Sequence, residues 1–220
     1  MEMGELNITK IITTLENFVE HFEEPAVSKV ARNKRDPYRI LISTILSLRT
    51  KDKTTLEASE RLFSKADTPH KMLKLTQKEI ESLIYPVGFY RRKSGEILEI
   101  SKRLIEKYKG KVPDSMKELL KLNGVGRKTA NLVINEGFNK PGICVDTHVH
   151  RISNRLGLVE TKTPEQSETE LMKIVPKKYW IKYNSILVPF GQNVCRPISP
   201  LCSECPVEKQ CSKVNVKRHR

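Results

Sequence analysis

Four cysteines within seventeen residues, Cys195, Cys202, Cys205 and Cys211, place the tightest constraint on how this chain folds. Their spacing is Cys-x6-Cys-x2-Cys-x5-Cys, and Pro197, Pro200 and Pro206 stiffen the loop between them. Four thiolates so close in sequence can wrap one compact metal centre. Zinc in a tetrathiolate site and an iron–sulfur cubane both use four such ligands, and spacing alone does not separate them. A secreted disulfide scaffold would carry cysteines more densely and more widely. The start of the chain, Met1 to Lys10, has Glu2 and Glu5 where a signal peptide needs positive charge and then a greasy stretch. The expectation is metal ligation in a reducing cytoplasm, in a protein that is not secreted. The fifth cysteine, Cys144, sits between Ile143 and Val145 and reads as a small core residue.

The rest of the chain is patterned for helices. Hydrophobic residues make up 38% of the 220 and charged residues 30%, which suits a folded chain rather than a disordered one. No apolar run approaches the roughly 18 residues needed to cross a bilayer. Ile11, Leu15, Phe18, Val19 and Phe22 recur at helical spacing. Asp36-Pro37 is an N-cap followed by proline at the first helical position, opening a helix that should bury Leu41, Ile42, Ile45, Leu46 and Leu48. Thr68-Pro69 repeats that start. Thr76 with Glu79 and Ser115 with Glu118 have capping-box spacing, and Thr163-Pro164 with Gln166 opens a helix before Leu171 and Ile174. Gly110 should close a helix running from about Arg91 to Lys109. Gly142 to Val145 is too short to argue for a sheet. The fold class is all-α.

Forty Lys and Arg against 26 Asp and Glu leave a formal charge of +14. Such a field favours a polyanion, most simply nucleic acid, although the same excess also makes a solubility surface. The basic residues are spread along the chain, unlike a polybasic membrane patch. A more specific feature lies at Leu119 to Gly137. A short helix ends at Leu119, Leu120 and Leu122. Asn123-Gly124-Val125-Gly126 follows, and a second helix runs from Arg127 to about Gly137 with Ala130, Val133 and Ile134 inward. Two glycines flanking one apolar residue permit a tight turn and close approach of a partner. The turn feeds a helix N-terminus, where unpaired N–H groups and the dipole favour a phosphate, a contact that positions a duplex without reading it. Gly124, Val125, Gly126 and Arg127 are therefore candidate DNA contacts.

Leu122-Asn123-Gly124-Val125-Gly126-Arg127-Lys128-Thr129-Ala130-Asn131, followed by Val145-Asp146-Thr147-His148-Val149-His150-Arg151, resembles the endonuclease III family of helix-hairpin-helix DNA glycosylases. The likeness extends from about Asp36 to Cys211. It implies two lobes with a DNA cleft between them: a six-helix barrel over residues 30–140 carrying the hairpin, and a cluster domain formed by residues 1–29 with 141–220. It implies that Lys128 is the catalytic amine. A lysine in the first turn of a helix, near other cations, should have a lowered pKa, and a neutral amine can attack a sugar C1′. Asp146 takes the place of the catalytic aspartate. The helix after Lys128 carries the chain about 16 Å away, and the eight residues from Phe138 to Val145 can span up to about 26 Å, so a return to Lys128 is sterically possible. By its own pattern Asp146 is also the N-cap of a helix buried through Val149, Ile152 and Leu156 and stopped at Gly157. His148 and His150 do not share a helical face, and read as phosphate or packing residues.

The cysteine spacing matches the family's [4Fe–4S] motif at every step, so the resemblance implies one such cluster. The residues expected to fill the gap left by an extruded base are Arg49 and Phe89. Glutamine is usual in the family where this chain has Arg49, and leucine is frequent where it has Phe89. Arginine there is similar to relatives acting on mismatches, although those generally lack the lysine at position 128. The implied function is removal of damaged, oxidised pyrimidines from duplex DNA by a monomeric glycosylase, with strand cleavage at the abasic site. The alternatives are a monofunctional glycosylase for T·G or U·G mismatches, and a non-catalytic DNA-binding module with structural zinc.

Overall fold

The structure, a computed structural model, describes residues 7–33 and 35–220. Glu2 and Glu5 lie outside the described residues. Among the described residues every regular element is a helix and none is a strand. The chain divides into two compact units, one of residues 1–24 with 141–220 and one of residues 25–140.

The first helix, α1 (Ile8–Val19), starts at Asn7, whose side chain accepts from the Lys10 amide at 3.0 Å, a cap the apolar spacing does not announce. The second unit then opens with α2 (Ala26–Asn33) and α3 (Pro37–Ser47). Asp36 caps α3 by accepting from the Tyr38 and Arg39 amides at 2.9 and 3.2 Å. Tyr38 and every residue from Ile40 to Leu46 are buried, so α3 is apolar on all sides, as a helix enclosed by others must be. It packs against α2, α4 (Asp52–Lys65), α7 (Tyr90–Tyr108) and α9 (Arg127–Leu132). Its buried hydroxyls are satisfied: Thr44 Oγ1 donates to Ile40 O at 2.7 Å and Ser59 Oγ to Ser43 Oγ at 3.2 Å. Full burial of Leu41, Ile42, Ile45 and Leu46 stabilises by about 1.5–3 kcal/mol each. Leu48, expected inside the helix, lies one residue past its end and is only half-buried.

Between α4 and α7, the short α5 (Pro69–Met72) starts at Thr68 and α6 (Gln77–Ile84) at Thr76, whose capping box with Glu79 is complete. Helix α7 ends in two left-handed residues, Lys109 at φ 54° and Gly110 at φ 76°, and the Gly110 amide bonds back to Leu104 O at 2.9 Å. Ahead of α8 (Met116–Leu119) only half of the expected box forms. Ser115 accepts from the Glu118 amide, while the Glu118 carboxylate turns to Lys121 Nζ at 2.6 Å and Tyr108 OH at 2.9 Å. The helix expected from Arg127 to about Gly137 is α-helical through Leu132 and widens into a π-turn over Val133–Gly137. The widening rotates Ile134 to a half-buried position instead of the inward one its spacing suggests. Gly137 leaves room for α3, since a Cβ there would lie 3.3 Å from Pro37 Cα.

In the other unit, α1 packs on α12 (Trp180–Asn193), and α10 (Thr147–Arg155) packs on α11 (Pro164–Ile174) and α12. The shared core includes Ile11, Leu15, Val149, Ile152, Leu171, Tyr183 and Phe190. Cys144 is buried, as its apolar neighbours suggest, and Leu171 is buried while Ile174 is exposed. Glu16 and Lys182 pair at 2.5 Å across α1 and α12.

Candidate functional site

In the unit of residues 25–140, the turn between α8 and α9 is held from within. Leu122 and Val125 are buried, and the Val125 amide donates to Leu122 O at 3.1 Å. Gly124 has φ +75°, which a side chain rarely adopts, and a Cβ on it would press on the Glu96 carboxylate at 3.0 Å. Gly126 caps α9 with no side chain, and a Cβ there would meet nothing within 4 Å. The backbone at the start of α9 is thus open to an approaching group. Arg127 is exposed and Lys128 half-buried in the first turn that follows. Val125, buried and with its amide used inside the turn, holds the hairpin's shape.

The structure brings Arg49 and Phe89 together in this same unit. Both are exposed, Phe89 to 60%, and the Arg49 guanidinium carbon lies 5.6 Å from the Phe89 ring centroid. Each is in the left-handed region, Arg49 at φ 53° and Phe89 at φ 58°. With Leu48, Arg92, Lys93, Glu96 and Gly124 they line an open cavity of about 390 Å³, so the hairpin glycine and the two gap-filling candidates share one depression. Arg92 pairs with Glu96 at 2.7 Å. Lys93 is only 4% exposed, and sequence reasoning missed it. Its burial lowers its pKa from the ordinary lysine value to about 8, with the Glu96 carboxylate acting in the opposite direction. The signal was present: Lys93, Ile97, Ile100 and Leu104 form one inward stripe of α7.

In the unit of residues 1–24 and 141–220, Asp146 is 9% exposed and caps α10. Its Oδ1 accepts from both the His148 and Val149 amides at 2.9 Å. The segment before it is pinned by Asn184 Nδ2, which donates to Cys144 O at 3.0 Å. His148 packs on α12, where a Cβ on Gly191 would lie 2.5 Å from its Nδ1. His150 Nδ1 instead lies 2.6 Å from Ser167 Oγ on α11. The two histidines therefore face different helices, as their spacing implied.

Helix α10 also carries two arginines that sequence reasoning passed over. Arg151 Nη2 donates to Cys195 O at 2.9 Å and to Gly191 O at 3.2 Å. Arg155 donates to Arg196 O at 2.6 Å and Pro197 O at 2.7 Å, and its Nη1 lies 3.5 Å from Cys195 Sγ. Their i,i+4 spacing on the helix that Asp146 opens was the available signal.

Cys195, Cys202, Cys205 and Cys211 line one apolar cavity with Ile152, Phe190, Val194 and Leu201. Among the described residues no three His, Cys, Asp or Glu side chains are disposed to hold a single ion. Four thiols around one shared cavity are a donor set that zinc and an iron–sulfur cluster both use. The donor set fits too: the Lys213 amide donates to Cys211 Sγ at 3.4 Å, and the Arg155 cation stands by Cys195. Burial pushes the Cys205 thiol up to about 11 and raises Cys202 and Cys211 as well.

Comparison with known proteins places this arrangement. Residues 42–177 match the HhH-GPD superfamily of base excision DNA repair proteins. Endonuclease III of Thermotoga maritima is 49% identical over 195 residues, which cover 88% of this chain and 92% of that one. Endonuclease III homolog 2, chloroplastic, of Arabidopsis thaliana is 42% identical over 187 residues, and the chain spans 48% of its length. Among solved structures, a trapped endonuclease III–DNA covalent intermediate superposes with TM-score 0.82 at 36% identity, covering 94% of each chain. A thermostable thymine-DNA glycosylase superposes with TM-score 0.79 at 29% identity, covering 93% of each. The chain belongs to the endonuclease III family, enzymes of base excision DNA repair, and its all-α fold is the family's. No helix among the described residues is long and apolar enough to cross a membrane.

Proposed function

We propose that this enzyme is a bifunctional DNA glycosylase and abasic-site lyase, acting on damaged, oxidised pyrimidines in duplex DNA. The observation that carries this reading is a lysine in the first turn of the hairpin helix, next to a glycine N-cap left open on its outer side. The cap amides hold a phosphate of the damaged strand, with Arg127 beside them. The Lys128 amine bonds to C1′ of the deoxyribose as the bond to the base breaks, the base leaving with a proton. Asp146 supports the positive charge that develops on the sugar and takes a proton from the lysine. O4′ then leaves C1′ and takes up a proton, opening the ring to the protonated imine. The imine acidifies C2′, and loss of that proton expels the 3′ phosphate by β-elimination. Arg49 and Phe89 occupy the space of the displaced base, and His148 contacts a phosphate.

Cys195, Cys202, Cys205 and Cys211 would hold one [4Fe–4S] cluster, supported by their spacing and shared cavity. Bound there, it would shape a basic loop containing Arg196, Lys209 and Lys213 for DNA phosphates. We place the enzyme with the DNA in the cytoplasm.

Borohydride should trap a covalent adduct of the protein with lesion-bearing duplex, and Lys128→Gln should lose it while still binding DNA. An undiminished adduct in that variant defeats the assignment. A second reading, a monofunctional T·G or U·G glycosylase, is favoured by Arg49 and by the likeness to the thymine-DNA glycosylase structure. Under the first reading, thymine glycol duplex is excised and nicked. Under the second, T·G or U·G duplex yields an intact abasic strand.

A further inference from the structure

Arg49 and Phe89 are side-chain-bearing residues in the left-handed region, at φ 53° and 58°. Such conformations persist only where the surroundings over-determine them, and they gather at functional sites. Here the surroundings can be named atom by atom. Lys93 Nζ donates to Leu46 O at 2.9 Å, Leu48 O at 2.6 Å and Thr50 Oγ1 at 3.3 Å. The two carbonyls flank the C-terminus of α3, where the helix dipole favours a cation and the last carbonyls need donors. Thr50 Oγ1 in turn accepts from the Gly88 amide at 3.2 Å. A Cβ on Gly88 would stand 2.5 Å from Arg49 O, so only glycine lets the two loops close to this distance. One ammonium and one hydroxyl therefore tie the loop of residues 48–50 to the loop of residues 87–89.

We infer that Lys93 is a positioning residue: from inside the protein it latches these two loops so that Arg49 and Phe89 stand side by side, ready to enter a duplex together. The inference rests on the proposed function, in which that pair replaces a displaced base. An unlatched pair would have to be ordered during base displacement, against the entropy of two long side chains and two loops. A latched pair is already ordered. The effect should fall on expulsion of a stacked base more than on chemistry at a site where no base remains.

The test compares two single-turnover rates: release of thymine glycol from a duplex, and strand cleavage at a pre-formed abasic site. Lys93→Met fills the same space without a donor, Thr50→Val removes the hydroxyl bridge, and Thr50→Ser restores it. Lys93→Met should slow base release at least tenfold and cleavage at the abasic site less than threefold. Thr50→Val should show the same imbalance more weakly, and Thr50→Ser should match the wild type. If Lys93→Met does not fold, by circular dichroism, the Thr50 pair decides. Equal losses in both rates, or wild-type base release in the folded variants, overturn the inference. A wild-type protein that neither releases the base nor forms the borohydride adduct would instead overturn the proposed function.

Discussion

One atom separates the cap role of Asp146 from the catalytic role proposed for it. Its Oδ1 caps α10 by accepting from two amides, a task an asparagine oxygen performs about as well. Stabilising a cationic sugar or taking a proton requires the carboxylate. Asp146→Asn should therefore melt within a few tenths of a kcal/mol of the wild type and yet release base about 10²–10⁴ times more slowly. Parallel thermal melts and single-turnover assays check this, and an unchanged rate would reduce Asp146 to a cap. The cap was legible because an aspartate ahead of Thr147 and an apolar i,i+3 pattern is a local signal. Lys93 was not legible in that way. One cation among forty looks like any other, and its partners, Leu46 and Leu48, are more than forty residues away in sequence. Only its position on the inward stripe of α7 set it apart.

Helix α10 carries the proposed catalytic aspartate at one end and a grip on the cysteine loop at the other. Asp146 opens it, and Arg155 in its last turn grips the cysteine loop through two carbonyls. Arg155→Met keeps the length and apolar stem of the side chain but removes both bonds and the charge beside Cys195. Loss of such outer partners commonly costs 10–100-fold in metal affinity. If the cysteines hold the proposed [4Fe–4S] cluster, the variant should keep wild-type helical circular dichroism and bind markedly less iron per chain after a chelator challenge, with bleaching of the cluster's brown colour as the readout. Equal iron retention would show that the four cysteines need no help from α10. Element starts were the most legible part of this fold, because Asp36, Thr68, Thr76 and Thr163 each cap within three residues of themselves. Endings and interiors were less so. The π-turn over Val133–Gly137 packs against α3 and leaves Ile134 half-buried, and no local spacing records that. The half-formed box at Ser115 has a different cause: Lys121, three residues on, and Tyr108 both bind the Glu118 carboxylate.

At the scale of the whole molecule the charge of +14 does what no single contact can. It raises the concentration of any duplex near the surface and quickens encounter, without choosing among sequences or lesions. Under the proposed function, lesion choice falls to a few groups, chiefly Arg49, Phe89 and the cavity they share with Glu96. These two levels respond differently to salt. Phosphate contacts release counterions, so affinity for undamaged duplex should fall by about 10³–10⁵ between 50 and 200 mM salt if 6–10 phosphates are neutralised. Exchange of a buried base for Arg49 and Phe89 releases almost none. The ratio of affinities for thymine glycol and undamaged duplexes should therefore stay within about threefold over that range while both affinities drop together. Fluorescence anisotropy with the two duplexes at four salt concentrations measures it. A ratio that collapses with salt would mean that the lesion is chosen by extra phosphate contacts, and the pair at the mouth of α7 would lose its place in recognition.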